Sequence, residues 1–364
     1  MKLKEIIAVF ESSAPTPFQE AYDNAGLLTG NDEMEINGAL ICLDSTEQVL
    51  EEAIQKKCNL VIAHHPIIFS GLKKINGKNY VERVIIKAIK HDIAIYAIHT
   101  NLDNVFAGVN KKICEKLGLV NLRILAPAVG KLKKLVTFIP SSHLEVVRSS
   151  VFLAGAGHIG NYEECSFVTP GKGTFRAKEG ANPFLGSVGE KHHEQESRLE
   201  LIYESHHESA ILKALKESHP YEEVAFDTYV LTNSHQLIGS GMVGELLEPK
   251  SFKDFMHHLK LTMLTNCIRH TKNILTKVKT VAVCGGSGSF LLPAAIASSA
   301  DIFITSDFKY HQFFDADEKI VIADIGHYES EQFTGELLYD LLKQKFPTFA
   351  VRLTETNTNP VHYY

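Results

Sequence analysis

The stretch Val61-Ile62-Ala63-His64-His65-Pro66-Ile67-Ile68-Phe69, VIAHHPIIF, sets two imidazoles inside an apolar run. Successive residues of a strand point to opposite faces. Two adjacent histidines therefore converge on one site only where the strand gives out. Pro66 marks that place, because it cannot donate to a ladder and fixes the local backbone. NLVIA (59–63) is expected to be a strand that delivers His64 and His65 to its C-terminal rim.

Around this strand the pattern alternates. INGALICLD (36–44) reads as a strand and STEQVLEEAIQKK (45–57) as a helix with its N-cap at Ser45-Thr46. NYVERVIIKAIKHD (79–92) reads as a helix, IAIYAIHTNLD (93–103) as a strand and loop, and GVNKKICEKLGL (108–119) as a helix. The last third repeats the style in TVAVCGGSG (280–288), DIFITSD (301–307), KIVIADIGHYESE (319–331) and FAVRLTET (349–356). Strands separated by helices imply βαβ units and a mostly parallel sheet. The middle differs, with strand, helix, strand or hairpin, strand, helix and strand between 134 and 232, an order that is ferredoxin-like. The fold class is therefore α/β: a discontinuous, mostly parallel-sheet domain, 1–130 with 233–364, interrupted by a ferredoxin-like α+β insert, 131–232. APAVGK (126–131) and TNSHQ (232–236) serve as the expected linkers.

The chain has 364 residues, enough for about two domains. With 45% hydrophobic and 22% charged residues it has the composition of a globular protein. A net charge of -6 gives no overall footprint for nucleic acid, which is disfavoured as a partner. The six cysteines are scattered without a CxxC pair, which argues against a zinc–thiolate site or a disulfide framework. No run has the ~20 apolar residues of a membrane span, and the apolar run near Met1 is too short for a signal peptide. The expected location is the cytoplasm, with no membrane partner.

Sites in open parallel sheets form outside the C-terminal ends of strands. Besides His64 and His65, such ends carry His99 and Asp103, and His327 and Glu331. If HYESEQF opens a helix, His327 and Glu331 share one face of it. Singly, each of these residues is as well explained as a polar cap on a strand. Together, His64, His65, Asp103, His327 and Glu331 form an imidazole–carboxylate set that suits zinc, manganese, iron, cobalt or nickel better than calcium or magnesium. Five such ligands exceed the usual three of one catalytic zinc and fit two ions about 3.5–4 Å apart. CGGSGS (284–289) is either a tight turn or a set of backbone N–H groups for a phosphate. Asp307, Lys309 and His311 follow another apolar strand as candidate contacts or a solvated loop. Asp44, beside Ser45 and Thr46, is expected to serve the helix start. The pairs His192-His193, His206-His207 and His257-His258 have polar neighbours and are expected on the solvated surface.

YDNAGLLTG (22–30), VIAHHPIIF, AIHTNLD (97–103), VCGGSGS (283–289), ITSDFKYHQ (304–312) and IADIGHYESE (322–331) resemble the Nif-three-like dinuclear metal-centre family. Its bacterial members are often labelled GTP cyclohydrolase 1 type 2 homologs. The resemblance places the metal ligands on the five residues already chosen and makes His99 a further pocket residue, either supporting the ligands from behind or catalytic. It departs at Ser306-Asp307, where the family commonly carries Gly-Glu. GAGHIGNYEECSFVTPGKGTF (155–175) and HPYEEVAFD (219–227) resemble the family's CutA/PII-like insert. The resemblance implies a homo-oligomer, a toroidal hexamer, holding two divalent transition-metal ions per chain. Zinc is the first choice and iron, manganese, cobalt or nickel the alternatives. It also implies a hydrolase acting on a nucleotide or other small molecule. In a GTP cyclohydrolase-type reaction hydroxide attacks C8 of the purine and formate leaves. The alternative is a non-enzymatic metal-binding regulatory or scaffold protein.

Overall fold

The computed structural model describes all 364 residues. The chain forms two compact units, Met1–Pro127 with Gln236–Tyr364, and Ala128–His235. The architecture is mixed α/β with several sheets.

The discontinuous unit holds two sheets where the sequence pattern suggested one. The first runs in the order Gly26–Thr29, Ala94–Ala97, Leu60–His65, Ala39–Asp44, Val351–Leu353. Its last four strands are parallel, and Gly26–Thr29 is an antiparallel edge. The second runs Arg269–His270, Val321–Asp324, Ile302–Ser306, Lys277–Ser287, Ser234–Ser251, Leu119–Val129. Only its three central βαβ strands are parallel; Arg269–His270 and Ser234–Ser251 pair antiparallel. Each outer third thus builds its own parallel centre. The expected linkers are strand instead, since 126–129 and 234–236 continue Leu119–Val129 and Ser234–Ser251. Their glycines, prolines and polar residues hid that pairing.

Leu60 to His64 are all buried, as expected of a parallel strand covered on both faces. Val61 and Ala63 pack with Val49, Leu50 and Ala53 of helix Glu47–Gln55 and with Val84, Ile85 and Ala88 of helix Tyr80–Lys90. Full burial of each Val, Leu or Ile contributes roughly 1.5–3 kcal/mol. Thr46 caps the first helix by accepting from Val49 N–H at 3.3 Å. Glu52 in that helix accepts from the backbone of Glu355 at 2.8 Å and from Thr356 Oγ1 at 2.6 Å. These bonds fasten the segment after Val351–Leu353. The second sheet has its own core, with Ala282, Phe303 and Ile322 packed on Leu291, Leu292 and Ala295.

The inserted unit is a four-stranded antiparallel sheet, ordered Phe167–Arg176, Lys191–Glu204, Leu132–Pro140, Phe226–Val230. Leu135, Ile139, Leu199 and Leu201 pack with Val147 and Val151 of helix Leu144–Leu153 and with Ile211 and Leu215 of helix Glu208–Ser218. His192 and His193 lie near the start of strand Lys191–Glu204 and pair with Phe175 and Thr174. No helix of the chain is long and apolar enough to cross a membrane.

Candidate metal centre

Strand Leu60–His65 pairs with Ala94–Ala97 only as far as Ala63, but with Ala39–Asp44 as far as His65. Both histidines therefore stay in the strand, which runs two residues beyond the expected end. Ile98 leaves the ladder, and its carbonyl accepts from Nδ1 of the fully buried His64 at 2.8 Å. His65 Nδ1 donates to Asp44 at 2.8 Å, so Asp44 serves His65 and not the helix start. Thr358 Oγ1 also donates to Asp44, at 2.7 Å. Short helix Thr100–Asp103 then brings Asp103 Oδ1 to 3.6 Å from His64 Nε2.

The second sheet supplies the other side. After strand Val321–Asp324, Gly326 turns the chain at φ 96°, and helix His327–Glu331 begins at once. His327 Nε2 lies 3.1 Å from Glu331 Oε2, one helical turn away. Glu331 is 3% exposed, and a Cβ on Gly286 would collide with its carboxylate. The glycine-rich stretch is therefore there for close approach. Its first N–H groups are occupied: Gly285 donates to Asn110 at 3.0 Å and Gly286 to Ser330 Oγ at 2.9 Å. Asp307 accepts from His327 Nδ1 at 2.6 Å, so this aspartate reaches a site histidine. Lys309 and His311 are exposed and lie outside the cavity.

The halves meet at Glu331. His65 Nε2 is 3.0 Å from Oε2, and His64 Nε2 is 3.8 Å from Oε1. A carboxylate off the open end of a strand is reachable from both faces, which is how adjacent histidines converge. His65 and His327 touch at 3.3 Å between their Nε2 atoms.

The charges are strongly coupled. Burial works against the anion at Glu331, but the imidazoles of His327, His64 and His65 around it outweigh this and hold it well below the carboxylate range. Burial, then the charge of Glu331, pushes Asp103 well above its ordinary value. Burial depresses His64. At His65 burial is outweighed by Asp44 and Glu331, which raise it to about 9. At His327 burial is likewise outweighed, by Asp307 and Glu331, which raise it to about 11.

His64 Nε2 and Asp103 Oδ1 are buried without a hydrogen-bond partner. Such atoms are costly unless something else satisfies them. The Nδ1 atoms of His64, His65 and His327 each donate to an acceptor, so each ring turns Nε2 inward, and loss of the Nε2 proton from His65 and His327 would give the donor face of metal-binding histidines. His64, His65 and Glu331 offer ligand atoms within 4.8 Å of one another. The donor set therefore fits a divalent transition metal.

His99 stands beside the cluster, its ring centroid 5.4 Å from those of His64 and His65. Its Nδ1 donates to Asp23 at 2.7 Å, and Asp23 also accepts from Thr100. Burial would raise Asp23, but the bonds from His99 and Thr100 outweigh it and hold the acid at about 2. A cavity of about 760 Å³ opens over the cluster, walled by Tyr22, Phe69, Arg269, Asn359 and Tyr363 among others. Sequence reasoning gave Asp23 no role and misassigned Asp44. Their only local signals were an acid in a turn-rich stretch and an acid at a strand end.

Of the other histidine pairs, His193 and His257 are exposed as expected, whereas His192, His206, His207 and His258 are half-buried. His258 bonds the Leu117 carbonyl at 3.1 Å. Glu204, His206 and His207 of the inserted unit form a further group of candidate metal ligands.

The protein named GTP cyclohydrolase 1 type 2 homolog of Halalkalibacterium halodurans is 38% identical over 360 residues, 98% of this chain and 97% of that one. The crystal structure of a Bacillus cereus protein related to NIF3 superposes with a TM-score of 0.84 at 37% identity, covering 100% of this chain and 99% of the other. Staphylococcus aureus protein SA1388 superposes with a TM-score of 0.80 at 29% identity over the same shares. Residues 1–360 match the family described as Duf34/NIF3 (NGG1p interacting factor 3). With relatives and solved structures aligned from end to end, the chain belongs to the Duf34/NIF3 family.

Proposed function

We propose that this protein is a metal-dependent hydrolase in which His64, His65, Asp103, His327 and Glu331 hold two divalent transition-metal ions, zinc first among them. The observation that carries the reading is the pair of buried, unpartnered ligand atoms, His64 Nε2 and Asp103 Oδ1, beside a carboxylate shared by His65 and His327. When bound, the ions supply Lewis acidity and bring the ionisation of water towards neutral pH. Ile98, Asp44 and Asp307 hold the three ligand imidazoles in register. Asp23 fixes the proton of His99 on Nδ1, which leaves Nε2 to accept or return a proton at the reacting centre.

The cavity is in the size range of small-ligand sites, and the relatives' name makes GTP the first substrate, with hydrolytic opening at C8 and formate as product. The same reading includes a toroidal homohexamer working in the cytoplasm, with a ferredoxin-like, CutA/PII-like inserted unit. The strand–helix–strand–strand–helix–strand order of that unit and its antiparallel sheet support the last point.

The test is turnover by metal-replete protein, with formate release as readout and other purine nucleotides and phosphoesters tried next. Activity is expected to vanish with chelator and return with added metal. Metal-replete protein that binds such compounds but turns none over between mildly acid and mildly alkaline pH would sink the hydrolase and leave a metal-dependent binding or regulatory protein.

A further inference from the structure

We propose a second metal site, wholly inside the inserted unit, in which Glu204, His206, His207 and His235 close around one zinc-class ion. Strand Lys191–Glu204 ends on its acid, and a 3₁₀ turn, Ser205–His207, follows without a break. The ring of His207 lies against Gly155, where an added Cβ would stand 3.1 Å from Cγ, and its centroid is 3.8 Å from that of His206. Ligand atoms of Glu204, His206 and His207 all fall within 4.8 Å of one another.

His235 completes the set from the returning chain. Its Nε2 is 3.1 Å from Glu204 Oε1, and His206 Nδ1 is 3.4 Å from Oε2. Two donors on one tetrahedral zinc stand roughly 3.4 Å apart; these separations are of that size but run to the two different oxygens of Glu204, so the carboxylate or a ring turns when one ion is shared. Side-chain exposure is 13% at His206, 11% at His235 and 33% at Glu204, so the group is sheltered rather than solvated. The hydrogen bond with His235 outweighs burial and holds the Glu204 carboxyl below its ordinary value.

Three imidazoles and a carboxylate fill four positions and leave none open, the arrangement of a structural ion rather than a catalytic one. Ser205 N–H donates to the Lys131 carbonyl at 2.9 Å, and Leu231 N–H to that of Leu132 at 3.0 Å. The site thus lies where the chain enters and leaves the unit. An ion there ties the corner after the strand to residue 235, closing a loop of 31 residues that the unfolded chain leaves open.

The test uses the full chain and Co²⁺ alone as probe. In His64→Ala/His327→Ala, where the first centre is disabled, one cobalt per chain with the strong visible bands of tetrahedral coordination is expected. Adding His206→Ala/His207→Ala should abolish it. Cobalt absent before those additions, or retained after them, overturns the proposal. Glu204→Gln in the otherwise native chain guards against misfolding of the multiple variants. With an unchanged circular dichroism spectrum it should lose one ion per chain at saturation, and an unchanged metal count overturns the site. Neither outcome bears on the hydrolase reading, which concerns only the first centre.

Discussion

His65 Nε2 and His327 Nε2 stand 3.3 Å apart, and each is within 3.1 Å of Glu331 Oε2. The two imidazoles come from different sheets. Two raised, cation-favouring rings this close repel unless a charge lies between them, and Glu331 is that charge.

Removing Glu331 should therefore undo the centre more completely than removing any one histidine. Glu331→Ala and His65→Ala are expected to lower bound metal, measured by elemental mass spectrometry, with the circular dichroism spectrum retained. Full metal content at the first centre in His64→Ala/His327→Ala would refute the ligand assignment.

Asp44 and Asp307 act through the histidines they hold. Asp44→Asn and Asp307→Asn should each weaken metal binding by about 10–100-fold, the usual effect of losing an outer partner. Competitive titration with a chromophoric chelator reads this directly. Affinities equal to wild type would show that the imidazoles are oriented without them.

Metal uptake should strengthen with rising pH. His65, raised to about 9, and His327, raised to about 11, must lose protons before Nε2 can bind. Each displaced proton costs about tenfold in apparent affinity per pH unit below its pKa. The metal-free protein should show the opposite slope. Both pKa values lie above the unfolded value of about 6.5, so their stabilising share is complete below it and is lost as pH rises through about 9 and then about 11. Melting temperatures across pH, with chelator and with metal, should diverge; parallel curves would contradict the charge assignment.

His99→Ala should cut turnover more than metal occupancy, since the proposed centre has His99 beside the ions and not on them. Asp23→Asn should follow it in turnover. Asp23 is held at about 2, below the ordinary carboxylate value of about 3.9. Its stabilising share is therefore present above about 3.9 and fades as pH falls towards about 2. Asp23→Asn should flatten the acid limb of the stability curve, and an unchanged limb would place the acid response elsewhere.

Replacing 131–232 with a short Gly/Ser linker should leave a metal-binding first centre. Strands Leu119–Val129 and Ser234–Ser251 are neighbours in one sheet, so the severed ends lie about one strand spacing apart, ~4.8 Å. Closing so small a gap costs little. Clean excision with loss of all metal would mean that the inserted unit completes the centre.

The parallel strands and the residues at their ends were legible because each is a local pattern: an apolar run, then a polar residue at the break. VIAHH and IADIGHYESE carry that pattern openly. Asp23, Asp44 and the 358–363 segment were not legible, because their roles depend on partners 21 to 314 residues away. The pairing of Leu119–Val129 with Ser234–Ser251 was hidden for the same reason. Gly286 was visible as a glycine, but its purpose appears only when Glu331 is packed against it.

The order in which the centre's residues occur along the chain has a consequence for biosynthesis. His64, His65, His99 and Asp103 emerge from the ribosome early. His327 and Glu331 emerge only after the inserted unit and most of the second sheet. Chains fold from the N-terminus as they are made, so a nascent or truncated chain ending before residue 327 presents half a centre and no shared carboxylate. Full metal occupancy then reports that translation has passed residue 331 and that the two outer thirds have found each other. A ribosome-bound chain stalled ahead of that point should bind the probe ion no better than His327→Ala/Glu331→Ala does.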